Sequence, residues 1–206
     1  MRKIILILIF IVTQTFIIGQ NYNTAIGIKL SPGIATYYIK DIDINLSRFS
    51  TNAGIEVTQR IYKDKLFIET GLCIFDRGFK ENKHIIDDYG VDWGLRKRKE
   101  FYYYLNLPIS LKFKYKGFFV GTGPNINYNI ANRTSCKLDG EQMVSTDNSD
   151  ESVPFLFGGQ FFLGYELKLS NKFIISSDGY FNSTFKGPLI NYGLDIGLKY
   201  ILSNKK

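Results

Sequence analysis

Charged side chains recur on alternate positions through several stretches of this chain, a spacing that suits either acid–base chemistry or a buried ion network. The set is Lys29, Glu56, Arg60, Glu69, Arg77, Glu100, Lys112, Glu166, Lys168, Asp178, Asp195 and Lys199, six basic and six acidic. Paired carboxylates can work as general acid and base where their surroundings separate their proton affinities. No nucleophile accompanies them. His84 is the one histidine; it falls in Lys83-His84-Ile85-Ile86-Asp87-Asp88, away from any strand serine, and no Gly-x-Ser-x-Gly elbow occurs. A Ser-His-Asp set would need a distant third member, so a solvated histidine is expected and no residue takes a catalytic role.

Other reactive types give equally little. Asp87, Asp88 and Asp92, and later Asp147, Asp150 and Glu151, lack the ligand spacing of a calcium loop, so no metal site and no cofactor is expected. Cys73 and Cys136 could bridge in an oxidising compartment, and their spacing leaves the pairing open.

The elements that must position these charges show a period of two. From Phe101 to Phe113 the odd positions read Phe, Tyr, Leu, Leu, Ile, Leu, Phe, while Tyr102, Tyr104, Asn106, Pro108, Ser110 and Lys112 fall on the even ones. Strict alternation is the mark of a strand with one apolar and one polar face. Thirteen residues exceed the roughly 5 to 6 of an ordinary strand and suit a tilted membrane-crossing strand of about 9 to 11. Similar segments fall near 24–31, 50–62, 65–78, 100–114, 117–130, 154–169, 172–185 and 189–202, the seventh being weakest because Ile174 interrupts its alternation.

Connections alternate in length. Lys63-Asp64-Lys65, Tyr115-Lys116-Gly117 and Ser170-Asn171-Lys172 are tight, whereas 32–49, 79–99 and 131–153 are long and Gly187-Pro188 is short. Short periplasmic turns alternating with longer external loops predict an all-β, eight-stranded antiparallel transmembrane barrel with both termini periplasmic. Closing the sheet removes the free edge that lipid cannot tolerate. A secreted soluble barrel would reverse the faces. Against it, the glycines Gly27, Gly54, Gly71, Gly121, Gly123, Gly158, Gly164, Gly193 and Gly197 share the charged face, where a narrow interior needs small residues, and Tyr and Phe gather toward the strand ends of the other face.

The N-terminus agrees with export. Arg2 and Lys3 precede an apolar run from Ile4 to Val12, then Gly19-Gln20, which predicts a signal peptide over 1–19 cut near 19–21 and a barrel domain over 20–206. The formal net charge of +7 includes Arg2 and Lys3, and the remaining bases are interleaved with acids, which excludes a nucleic-acid binder. Eight strands leave an interior just wide enough for side chains, so the twelve charges are expected to pair as a structural lumen network rather than an open pore.

Tyr104-Leu105-Asn106-Leu107-Pro108, a basic aromatic strand end, a tight turn and Gly121-Thr122-Gly123-Pro124 follow one another in an order that resembles the PorT-like outer-membrane β-barrel family. Leu107 stands where Ile is commoner. The resemblance spans the mature chain and implies an eight-stranded barrel behind a signal peptide, in a family with a few members in protein secretion. Asp195-x-Gly197-x-x-Tyr200-x-Leu202 resembles the last-strand signal read by the barrel-assembly machinery, with Leu202 in place of the aromatic and Ser203 to Lys206 following it.

The expectation is therefore a non-catalytic barrel of the bacterial outer membrane that engages other envelope or secretion proteins or acts in surface contact. A purely structural barrel, a narrow channel and a lipid-modifying enzyme are the alternatives. Its surroundings would be outer-membrane lipid and lipopolysaccharide. The run Arg96-Lys97-Arg98-Lys99 is either a solvated loop or a contact for lipopolysaccharide phosphates by charge attraction.

Overall fold

The computed structural model describes residues 24–39, 44–63, 65–86, 89–90, 92–138, 141–146, 155–185 and 189–202. The expected leader at 1–19, Asp64, the acids Asp87, Asp88, Asp147, Asp150 and Glu151, the Gly187-Pro188 turn and the tail Ser203 to Lys206 lie outside the described residues.

The strands are β1 (Thr24–Ile39), β2 (Ile44–Tyr62), β3 (Leu66–Ile86), β4 (Asp92–Tyr115), β5 (Phe118–Leu138), β6 (Glu141–Thr146), β7 (Phe155–Lys168), β8 (Phe173–Thr184) and β9 (Leu189–Ile201). All pairs are antiparallel. Eight strands form a ring in the order β1-β2-β3-β4-β5-β7-β8-β9, closed by β1 against β9, and among the described residues β6 pairs with β5 alone, above the ring. Ala25 stands opposite Ile201, so the first and last strands meet at the end that also carries the three tight turns. We call this the terminal end and the other the loop end. At Lys116-Gly117 both turn residues have positive φ, 49° and 90°, as the two-residue turn matching strand twist requires.

Alternation sorts the side chains inside out relative to a soluble barrel. Ile28, Ile55, Leu111, Leu163 and Leu194 are all more than half exposed on the outside, while Asn52, Asn106, Lys112 and Lys199 are at 2% or less within. Such an apolar exterior is stable only against lipid. Its borders are aromatic: Phe118 packs on Tyr165 (4.9 Å) and Phe173 on Tyr200 (5.3 Å) at the terminal end, and Tyr128 on Phe155 (5.0 Å) toward the loop end. The soluble alternative is overturned. Ile174, which interrupts the alternation of β8, faces the lumen mouth at the terminal end.

The long connections differ from expectation. Segments 32–49 and 79–99 are mostly strand, with β1 and β2 paired up to Ile39 and Ile44, and β3 and β4 up to Ile86 and Asp92. Within 131–153, β5 continues to Leu138 and turns back into β6, which no periodicity had indicated. The reason is solvent: a ribbon wet on both faces keeps its backbone ladder but loses the pressure for apolar alternation.

The ring parts at two seams on its way up. Among the described residues the β2–β3 ladder ends at Ala53 with Ile74 and the β5–β7 ladder at Tyr128 with Phe155, so β3, β4, β5 and β6 rise as a four-stranded sheet, the free sheet, tied to β2 at its base by Arg48, which reaches Asp76 and the Arg77 carbonyl, and by Asn52, whose Oδ1 accepts from the Asp76 amide. From Phe75 to Ile86 it runs about 35 Å along the strand.

Candidate functional site in the barrel lumen

The barrel interior holds the charges, and closure of the ring decides which of them meet. Lys112 on β4 and Lys199 on β9 come from strands on opposite sides of the ring. Between them lie Glu69 of β3 and Glu166 of β7. Lys112 Nζ is 3.1 Å from Glu69 Oε2 and 2.6 Å from Glu166 Oε1; Lys199 Nζ is 3.0 Å from Glu69 Oε2 and 3.4 Å from Glu166 Oε1. Two ammonium and two carboxylate groups thus form a closed ring across the lumen.

Further groups saturate it. Glu56 Oε1 lies 3.0 Å from Lys199, Thr58 accepts from the same ammonium at 3.1 Å, and Lys114 reaches the other oxygen of Glu166 at 2.6 Å. The Lys112 ammonium also sits 3.7 Å from the centre of the Phe119 ring. A small residue beside this cluster is a steric need: a Cβ on Gly27 would lie 2.6 Å from the Leu198 carbonyl oxygen and 2.8 Å from Lys199 Cγ.

The other expected members of the network separate from it. Lys29 pairs with Asp195 at 3.5 Å, and Asp178 stands directly opposite Asp195 in the β8–β9 ladder. Glu100 is held near the loop end by Arg98 and the Tyr102 hydroxyl. Arg60 lines a vestibule of about 260 Å³ at the terminal end, together with Lys114, Lys199 and Phe67. Lys168 also lines that mouth but is exposed, a correction to its expected place in the lumen network, because it is the last residue of β7 and no strand continues to cover it. One balanced network is thus replaced by separate groups at different heights.

Arg77, one of the expected lumen charges, is buried as expected but among amides that charge counting does not show. Fully buried, it donates to Asn127 Oδ1 at 3.2 Å and Asn182 Oδ1 at 2.8 Å, in a cage of amides rather than carboxylates. Asn106 donates to Asn127 at 2.8 Å, Asn127 to Asn125 at 2.7 Å, and Asn52 and Asn191 share the Tyr180 hydroxyl at 3.0 and 2.9 Å. Phe75 and Tyr104 place their rings 5.2 and 5.7 Å from the guanidinium. The signal was present in the sequence, since each asparagine lies on the polar parity of its strand.

Cys73 and Cys136 are free, which corrects the possible disulfide. Cys73 is packed in the lumen with Phe75 and Tyr104, whereas Cys136 is opposite Arg98, itself opposite Glu81. Glu81 is eight residues up β3 from Cys73, a separation of about 26 Å along the strand, far beyond bridging reach.

The run Arg96-Lys97-Arg98-Lys99 is strand rather than loop, so its members alternate between faces. Arg96 is 3.3 Å from Glu81 and Arg98 pairs with Glu100 on one face, while Lys97 and Lys99 are exposed on the other. His84 is exposed near the tip of the free sheet, its Nδ1 3.3 Å from Asp92. The Gly94 amide, donating to Asp92 at 2.7 Å, holds that carboxyl below its usual range.

An eight-stranded antiparallel ring with an apolar exterior and a packed interior of paired acidic and basic side chains has the fold of the small outer-membrane β-barrels. No family model matches the chain, and no curated protein matches it. Among solved structures it is similar to Ail, the attachment invasion locus protein of Yersinia pestis, at 10% identity and a TM-score of 0.50, covering 88% of this chain and 99% of that one. Neisserial surface protein A aligns at 11% identity and TM-score 0.47, covering 86% and 96%. OprG from Pseudomonas aeruginosa aligns at 12% and 0.35, covering 85% and 92%.

Proposed function

We propose that this chain is a non-catalytic barrel of the bacterial outer membrane, with its terminal end in the periplasm, that presents the free sheet β3–β6 to another envelope or surface protein. The observation that carries this reading is the sheet itself. Above the contacts that Arg48 and Asn52 make with Asp76 and Arg77, the part of β3 from Lys80 to Ile86 pairs among the described residues only with β4, which leaves a backbone edge open to strand addition. The lumen supports a scaffold rather than a conduit, because Lys112, Glu69, Lys199 and Glu166 link strands across it in a closed ring of ion pairs.

The PorT-like resemblance belongs to the same reading. Its two motifs adjoin in space: Pro108 stands opposite Asn125, and Leu111 opposite Thr122. Between those pairs the β4–β5 ladder is interrupted where Pro108 and Pro124 supply no N–H, and Thr70 Oγ1 donates to the Pro108 carbonyl at 2.9 Å from the other side. Secretion or envelope assembly is the role this resemblance favours over a solitary structural barrel.

A photo-crosslinking residue at Lys83, exposed on the free part of β3 and opposite Arg96, tests the reading against the same residue at Ile109 on the lipid-facing belt. A discrete protein adduct from Lys83 that is absent from Ile109 is expected. Adducts to lipid alone, at both positions, would overturn it.

A further inference from the structure

The exterior face of the free sheet carries a basic cluster drawn from three strands. Lys99 on β4 stands directly opposite Lys80 on β3, and Lys97 opposite Lys137 on β5; Arg133 lies one pair lower on β5, opposite Phe101. All five side chains are exposed, and none makes an ion pair with a described residue. Like charges directly opposite one another across a ladder destabilise it, so the arrangement is unfavourable unless an anion sits between them. The other face of the same strands shows the contrast, with Arg96 matched to Glu81 and Arg98 to Glu100.

Height identifies the anion. Below the cluster on the same face of β4 come Phe101, Tyr103, Leu105 and Leu107, then the exposed Ile109, Leu111 and Phe113. From Phe113 to Tyr103 the strand covers about 33 Å, which at a tilt near 40° is about 25 Å, the height of an outer-membrane apolar band. Lys99 stands about 10 Å above that band along the barrel axis, and long lysine stems reach down from there to the headgroup layer.

We propose that Lys80, Lys97, Lys99, Arg133 and Lys137 form a docking surface for the phosphate groups of the anionic lipid surrounding the loop end of the barrel. Only Lys97 and Lys99 of the sequence run at 96–99 take part, and the site is completed by bases that strand pairing brings in from 16 residues before it and up to 38 after it. This rests on the reading that the loop end faces the outer leaflet. The cluster would hold the barrel at a set depth and keep the seam between β2 and β3 in a fixed relation to the membrane surface.

The test uses the full mature chain in detergent micelles with bisphosphorylated lipid A as probe and its dephosphorylated form as comparison. K80Q/K97Q/K99Q/R133Q/K137Q is expected to weaken binding of the bisphosphorylated form at least tenfold, while lysine-to-arginine exchange at the same sites, with Arg133 kept, preserves it. Replacing Lys65, Lys116 and Lys172 at the terminal end by glutamine should change nothing. Heat-dependent gel mobility scores folding of every variant. Equal affinity for the two lipids, or no loss in the five-site variant, would overturn the proposal. Folded, bilayer-inserted protein with equal affinities overturns it alone, whereas failure to insert into any vesicle overturns the membrane reading as well.

Discussion

Lys112 and Lys199, from strands that face each other across the barrel, both donate to the same oxygen of Glu69, at 3.1 and 3.0 Å. That carboxylate oxygen, with Glu166 Oε1 at 2.6 and 3.4 Å from the same two ammonium groups, ties the two halves of the ring together. The lysines would repel each other more strongly without it, and burial at 1% and 2% leaves no water to screen them.

Glu69→Gln follows from this relationship. It keeps the volume and removes the shared charge, so it should destabilise the barrel by about 3–5 kcal/mol, the usual cost of stranding a buried partner. Urea unfolding in lipid vesicles reads the loss. A change under about 0.5 kcal/mol would mean that the ring is not an energetic unit.

The same ring bears on conduction. Four interlocked side chains from four strands span the lumen, so the purified protein should give no discrete conductance steps in planar bilayers. Reproducible steps from the folded wild-type chain would place an ion path through the cluster.

Membrane residence has its own test at Ile109, which is 43% exposed midway between the two aromatic borders of β4. Ile109→Arg should cost about 2–4 kcal/mol in a bilayer, as a charge on the lipid face near midplane does. An unaffected stability in vesicles would argue that this face does not meet lipid.

The cysteines give a chemical readout. Cys136 is partly exposed and Cys73 is buried, so a maleimide should label Cys136 in the folded chain and Cys73 only after unfolding. Mobility should be the same with and without reductant. A faster non-reduced band would indicate a bridge and a different register for β5.

Interactions in this chain differ in how far along the sequence they reach. Alternation is local, and from residues such as Leu111 beside Lys112, or Ile196 beside Asp195, it already determined the strand segments, the inward and outward faces, the all-β class and the filled interior. It faded above the membrane, where Lys80 to Ile86 and Thr134 to Leu138 pair as strands without an apolar face to announce them. It also rated charges above amides, so the asparagine cage around Arg77 went unseen although its members lay on the right parity.

Closure was beyond the reach of any one segment. Only the register of eight strands around the ring decided that Lys112 and Lys199 share Glu69, that Lys168 ends at an open mouth, and that Cys73 and Cys136 stand apart. Within the membrane-crossing segments the sequence by itself determined which way side chains point, because that depends on their immediate neighbours. The tertiary structure decided which side chains meet, because that depends on the shear with which distant strands are joined.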